Sequence, residues 1–129
     1  MLFGLIVTHG ALAAALREAA ARIAGDVTQL EIVSNDALSV EGLHECVREA
    51  VARLDQGDGG IIFTDLAGGS CAVACRMVLR GHPRVRLVTG INLPMLVDFV
   101  LRRGDLELDA LVVRLLQRGQ SSIQELGGA

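Results

Sequence analysis

The sequence predicts an α/β fold: a doubly wound, mostly parallel sheet of strand order 2-1-3-4 with helices on both faces. Short apolar runs alternate with longer segments of helical periodicity, as in successive right-handed βαβ crossovers. The first and third runs are apolar on both faces, which is typical of central strands. Polar residues interrupt the second run, which is typical of a sheet edge. We expect a single domain over residues 1–129, with the winding direction reversed between the first and third strands.

The first half of the chain is predicted to hold three strands and two helices. The strands are the apolar runs at 2–7, 27–33 and 61–64. The first helix follows the first strand directly, and the second covers 40–54 with Ser39 as its N-cap. The predicted inward positions of the first helix are Leu12, Leu16, Ala19, Ala20 and Ile23.

The second half of the chain is predicted to hold a fourth strand at 85–89. One helix precedes this strand, over 70–79, and two follow it, the first up to about residue 103 and the second over 105–118. Weakly alternating polarity at 121–126 indicates one short extra strand at the end of the chain.

Composition argues against several classes of function. A formal net charge of −3, with no Trp or Tyr, argues against nucleic-acid binding, which calls for a basic face and stacking aromatics. No apolar run approaches the roughly 18 to 20 residues needed to cross a bilayer. The three cysteines lack a C-x-x-C pair, so we expect reduced thiols in the cytoplasm. Cys71 and Cys75 share a helix face, but zinc takes four ligands, so we expect no metal and no cofactor.

The candidate site lies at the carboxyl ends of the first and third predicted strands. His9 follows the first strand and precedes a helix, whose N-terminal N–H groups and dipole favour anions. Asp65 follows the third strand, and the reversal of winding places both residues beside the same crevice. A carboxylate that holds one imidazole nitrogen as N–H leaves the other nitrogen free for nucleophilic attack. We therefore hypothesise that His9 accepts a phosphoryl group and that Asp65 orients its ring.

A phosphoryl group also needs hydrogen-bond donors, because its transfer depends mainly on positioning and charge stabilisation. Backbone N–H groups in Gly-rich loops and hydroxyls at strand ends are suitable donors. Ser70 is in addition expected to cap the helix that follows the third strand. The predicted phosphoryl-binding residues are Thr8, Gly10, Gly68, Gly69, Ser70, Thr89 and Asn92.

Three motifs resemble those of one known family. They are T-H-G-x-L-A-x-x-L at 8–16, D-L-x-G-G-S at 65–70 and T-G-x-N-L-P at 89–94. Together they resemble, over nearly the whole chain, the mannose-family EIIA domain of the bacterial phosphoenolpyruvate-dependent sugar phosphotransferase system. The resemblance implies a phosphotransferase that is phosphorylated on His9 by the phosphocarrier protein HPr, with Asp65 as the partner of the histidine.

The resemblance also implies further partners. The phosphoryl group would pass from the phosphohistidine intermediate to an EIIB component in sugar uptake, and membrane contact would be indirect, through EIIC and EIID components. The family implies a homodimer that exchanges a C-terminal strand, here 121–126. The chain departs from the family at the crevice rim, where a Pro commonly opens the helix after G-G-S and a bulky residue commonly precedes that motif. Cys71 and Ala67 stand at those places, so the resemblance does not identify which EIIB component, if any, receives the phosphoryl group.

Alternative functions remain open at this point. One is a regulatory module that uses the phosphorylation state of His9 as a signal, without sugar transport. Another is a hydrolase with a Ser70-His9-Asp65 triad, although the chain lacks a G-x-S-x-G elbow. The phosphotransfer subunit of dihydroxyacetone kinase also resembles this fold, but T-H-G and N-L-P favour the mannose family.

Overall fold

The computed structural model describes residues 1–128, in which four strands alternate with five helices. None of these helices has the length and apolar character needed to cross a bilayer. The strands are β1 (Phe3–Thr8), β2 (Leu30–Ser34), β3 (Gly60–Thr64) and β4 (Val85–Thr89). The helices are α1 (Leu12–Ala24), α2 (Val40–Leu54), α3 (Gly69–Leu79), α4 (Leu93–Arg102) and α5 (Leu108–Ser121).

The sheet is parallel throughout and has the order β2-β1-β3-β4, which confirms the predicted topology. β1 lies between β2 and β3, with Thr8 level with Ser34 and Val7 level with Thr64. The chain therefore moves to one side of β1 to form β2 and to the other side to form β3 and β4. Because all the strands point the same way, the loops that follow β1 and β3 emerge side by side at one end of the sheet.

Each face of the sheet is covered by a different set of helices, and a separate hydrophobic core lies between each face and its helices. α1, α4 and α5 cover one face, where Ile6 and Phe99 are fully buried. α2 and α3 cover the other face, where Leu5 and Val47 are fully buried. β1 and β3 are buried along their whole length, as their uninterrupted apolar sequences predict, whereas only Leu30 is buried in the edge strand β2.

The face that α1 turns inward differs from the prediction. Ala13 and Ala20 are buried, whereas Leu12 and Ile23 are exposed. Leu16 is partly buried against the core. The two alanines lie seven residues apart on one side of the helix, and their small side chains let the helix approach the sheet closely. The larger side chains are then rotated towards the surface.

The structure also corrects two predicted element ends. α3 begins at Gly69 with Gly68 as its N-cap, so Ser70 lies inside the first turn and does not cap the helix. Ser121 is the last residue of α5, and residues 122–128 form no strand within the part of the chain that the structure describes. The strand predicted at 121–126 is therefore absent from the single chain. Its exchange with a second chain stays a prediction.

Candidate functional site

The loop between β1 and α1 carries His9 at the end of the sheet. Thr8 ends β1 as a fully buried residue, and its Oγ1 accepts a hydrogen bond of 2.8 Å from the backbone N–H of Ala13. This bond ties the strand end to the first turn of α1. His9 is the next residue, and 44% of its side chain remains exposed. The loop thus holds its backbone firmly while presenting the imidazole to solvent.

Asp65 follows β3 and lies beside His9. Its Oδ2 lies 2.8 Å from Nδ1 of His9 and accepts the backbone N–H of the same residue at 3.1 Å. Its Oδ1 accepts the backbone N–H of Leu66 at 3.0 Å. Only 13% of the Asp65 side chain is exposed. The structure thus brings together the two residues that the motifs at the ends of β1 and β3 pointed to.

The surroundings of Asp65 favour its ionised form. Burial alone would raise the pKa of this carboxyl group, but the hydrogen bonds from the backbone and ring of His9 outweigh that effect and lower the pKa below its usual value. An ionised carboxylate can only accept hydrogen bonds, so the proton between the two side chains belongs to Nδ1 of His9. In the neutral ring the lone pair then lies on Nε2.

The N-terminus of α3 lies beside that nitrogen. Gly69 has a positive φ of 85°, and a Cβ atom placed on it would lie 4.0 Å from both Nε2 and Cε1 of His9. No side-chain hydrogen bond caps this helix within the described residues. The N–H groups at the start of a helix have no partner within it, so Gly68, Gly69 and Ser70 can offer theirs to an anion held at Nε2.

Two of the residues predicted to bind the phosphoryl group have side chains that bond to the ends of helices. The hydroxyl oxygen of Thr8 is buried and engaged with α1, as described above. Asn92 caps α4, because its Oδ1 accepts the backbone N–H of Met95 at 3.1 Å, and its Nδ2 donates to the carbonyl oxygen of Gly119 at 3.0 Å. Both side chains therefore fasten helix ends, and their binding to the phosphoryl group stays a prediction.

The remaining predicted residues lie at the same end of the sheet. Gly10 has a positive φ of 58°, and its N–H points to Oδ1 of Asn35 at 3.4 Å. Asn35 follows β2 and was not foreseen from the sequence. Thr89 ends β4 and is paired in register with Thr64 of β3. No hydrogen bond joins the Ser70 hydroxyl to the ring of His9 in residues 1–128, so a hydrolase triad has no support in the geometry.

Cys71, predicted at the rim of the crevice, lies beside the ring of His9. Its Sγ lies 4.0 Å from Nδ1 of His9, and the residue is fully buried. Burial raises the pKa of the Cys71 thiol, and the negative charge of Asp65 raises it further. The thiol is therefore protonated at neutral pH. Cys71 follows the Gly-Gly-Ser sequence directly and lies in the first turn of α3, a position from which its contact with His9 could be expected.

Comparison with known proteins finds relatives along most of the chain. The family model described as "PTS system fructose IIA component" (EIIA-man) matches residues 4–116. The mannose-specific EIIAB component of Escherichia coli K12 is 28% identical over 126 residues, which are 95% of this chain and 38% of that protein. The fructose-specific EIIA component of Bacillus subtilis is 26% identical over 125 residues, which are 96% of this chain and 86% of that protein.

A solved structure shows the same fold. The crystal structure of an EIIA component from Streptococcus agalactiae superposes with a TM-score of 0.88, at 22% identity and with 97% of each chain covered. The match of the family model includes His9, Asp65 and the first turn of α3. The chain therefore belongs to the EIIA-man family of phosphotransferase-system IIA components.

Proposed function

We propose that this chain is a phosphoryl carrier in which Nε2 of His9 is the nucleophile. One observation carries the proposal: the distance of 2.8 Å between Nδ1 of His9 and Oδ2 of Asp65. An ionised carboxylate at that position keeps the proton on Nδ1 and the lone pair on Nε2. Family membership supports the same role, and the donor that the family implies is phosphorylated HPr.

The transfer step follows from this arrangement. The Nε2 lone pair forms a bond to phosphorus while the bond between phosphorus and the donor atom of HPr breaks, and the electron pair of the broken bond stays on HPr. Nδ1 keeps its proton, and the negative charge of Asp65 balances the positive charge that develops on the ring. The free N–H groups at the start of α3 stabilise the phosphoryl oxygens.

The phosphoryl group then leaves His9 by the same chemistry in reverse. The acceptor in this proposal is an EIIB component that serves sugar uptake, and the chain acts in the cytoplasm, reaching the membrane only through EIIC and EIID components. The name of the Escherichia coli relative, a mannose-specific EIIAB component, supports an EIIB acceptor. A regulatory role would use the same phosphohistidine but would pass no phosphoryl group to EIIB.

Labelling tests the nucleophile. The chain is incubated with phosphoenolpyruvate, enzyme I and HPr, and intact-mass analysis follows the product. We expect one phosphoryl group per chain, labile in acid and stable in base, and its absence in a His9→Ala variant. A His82→Ala variant, altered in the turn before β4, is the matched control and should be labelled normally. Full labelling of the His9→Ala variant contradicts the proposal.

A second measurement tests the acceptor. The phosphorylated chain is separated from HPr and mixed with purified EIIB components of the mannose family. Transfer to one of them, with loss of label from His9, supports sugar uptake. Label that stays on the chain with every such component supports the regulatory alternative instead.

A further inference from the structure

Three side chains that are common metal ligands meet at one point of the site. They come from three separate segments: His9 after β1, Asp65 after β3 and Cys71 in the first turn of α3. One nitrogen, oxygen or sulfur atom from each lies within 4.8 Å of the other two. Phosphoryl transfer, as proposed above, uses His9 and Asp65 but gives the Cys71 thiol no role.

The spacing of these atoms is close to that of a zinc site. With Zn–N and Zn–O bonds of about 2.0 Å and a Zn–S bond of about 2.3 Å, tetrahedral geometry separates nitrogen from oxygen by about 3.3 Å and nitrogen from sulfur by about 3.5 Å. The observed distances from Nδ1 of His9 are 2.8 Å to Oδ2 of Asp65 and 4.0 Å to Sγ of Cys71. Shifts of about half an ångström bring both distances to those values, and the Asp65 oxygen and the Cys71 sulfur, which lie within 4.8 Å of each other, must reach about 3.5 Å.

The chemistry of the three groups fits a soft divalent cation. Thiolate, imidazole and carboxylate all bind zinc, and sites with three protein ligands keep a fourth position for water. A bound Zn²⁺ takes the lone pair of Nδ1 of His9, so the neutral ring carries its proton on Nε2 instead, and the thiol proton of Cys71 passes to solvent. The carboxylate and the thiolate then neutralise the charge of the ion. The His9 side chain, 44% of which is exposed, is the ligand of the three most open to solvent.

We propose that His9, Asp65 and Cys71 form an inhibitory binding site for Zn²⁺ or a cation of similar softness. The inhibition rests on the proposed function, whereas the binding does not. Zinc on Nδ1 takes over the contact with Asp65 and leaves the ring proton on Nε2, so Nε2 has no lone pair with which to attack phosphorus. The site thus exists in two exclusive states, one that binds metal and one that accepts a phosphoryl group.

Binding is tested first, without any phosphoryl transfer. Co²⁺ is used as a coloured substitute for zinc, because cobalt bound to a thiolate shows charge-transfer absorption in the near ultraviolet. We expect this band in the unaltered chain and its displacement by zinc. The Cys71→Ala variant should lose the band and bind zinc about 10- to 100-fold more weakly or worse. Cys75→Ala, which removes a buried thiol one helical turn away, is the matched control. It should keep the cobalt band and the zinc affinity of the unaltered chain.

Inhibition is tested next with separately purified phosphorylated HPr. For each protein, the rate of phosphorylation with zinc is divided by its own rate without zinc. We expect zinc to lower this ratio at least tenfold for the unaltered chain and Cys75→Ala, and to leave it near one for Cys71→Ala. Any effect of zinc on HPr itself appears equally in all three proteins.

The outcomes separate the two proposals. Absence of the cobalt band, or its persistence in a folded Cys71→Ala variant, overturns the metal site and leaves the phosphoryl carrier intact. Normal metal binding with no phosphorylation of the unaltered chain refutes the carrier instead. If Cys71→Ala fails to fold by circular dichroism, Cys71→Ser replaces it, because a hydroxyl keeps the size of the side chain and is a poor ligand for zinc.

Discussion

Oδ2 of Asp65 accepts the backbone N–H of His9 at 3.1 Å and lies 2.8 Å from Nδ1 of the same residue. One carboxylate oxygen therefore fixes both the loop that carries the imidazole and the rotation of its ring. The two residues are 56 positions apart in the sequence and meet only because β1 and β3 are neighbours in the sheet. The pairing of the two residues is therefore a consequence of strand order.

The first prediction concerns the orientation of the ring. Asp65→Asn keeps the size of the side chain but introduces an amide that can also donate a hydrogen bond, which permits the wrong tautomer of His9. We expect phosphorylation by phosphorylated HPr to slow about 10- to 100-fold in stopped-flow measurements, as for other partners that orient a histidine. Asp58→Asn, in the exposed turn before β3, is the control. A normal rate of phosphorylation in a folded Asp65→Asn variant would mean that Asp65 does not orient the ring of His9.

The second prediction concerns stability and pH. The pKa of Asp65 is lowered in the folded chain from a usual value of 3.8, so the folded state favours the ionised carboxylate. Its stabilising effect is therefore complete above that value and is lost as the pH falls through the lower, folded pKa. We expect chemical denaturation to show the unaltered chain more stable than Asp65→Asn at pH 7, with the difference shrinking as the pH falls below 3.8 and through the lower, folded pKa. A difference that does not change with pH contradicts this account.

The third prediction concerns the space beside Nε2 of His9. Gly69→Ala places a methyl group about 4.0 Å from that atom and forces alanine to adopt a φ of 85°. We expect a loss of roughly 1–2 kcal/mol in the free energy of unfolding. We also expect slower phosphorylation, because the N-terminus of α3 shifts away from the nucleophile.

The matched control for that prediction lies at the other end of α3. A Cβ atom at Gly81 meets nothing within 4 Å, so Gly81→Ala should change neither the stability nor the rate appreciably. Equal effects of the two substitutions would mean that the conformation of Gly69 has no particular role at the site.

Strand order and the His9–Asp65 pair were predictable because each depends on a pattern along the chain. Apolar runs without a polar break identify β1 and β3 as central, and residues that follow two adjacent parallel strands must meet at one end of the sheet. That reasoning needs only the sequence and the direction of the strands. It does not depend on where any side chain points.

The errors arose where the direction of a side chain decides the outcome. Ser70 is predicted to cap α3 from its place in the sequence, but Gly68 is the N-cap and Ser70 lies inside the first turn. Cys71 is a buried core residue, and the first turn of α3 also brings its Sγ to 4.0 Å from Nδ1 of His9. Ile23 is exposed because two alanines, rather than the larger residues, face the sheet from α1. Local periodicity does not resolve such rotations.

The fourth prediction concerns assembly. Residues 122–128 leave the end of α5 without forming a strand in the described chain, and Ile123 and Leu126 are 81% and 84% exposed. β4 is an edge strand with one side unpaired in the sheet of residues 1–128. An exposed strand edge and a tail with two exposed apolar side chains are suited to pair between two copies of the chain. We expect light scattering to report a homodimer at micromolar concentration.

A chain that ends at Ser122 tests whether the tail holds that dimer together. This truncation keeps α5 and the hydrogen bond from Asn92 to Gly119, so the sheet should stay folded by circular dichroism. We expect the shortened chain to be largely monomeric at the concentration where the full chain is a dimer. An Ile123→Ser, Leu126→Ser double variant of the full chain should also form a weaker dimer, because it removes the apolar side chains of the tail but keeps its backbone. A full chain that is monomeric, or a shortened chain that dimerises as strongly as the full one, excludes strand exchange through this tail.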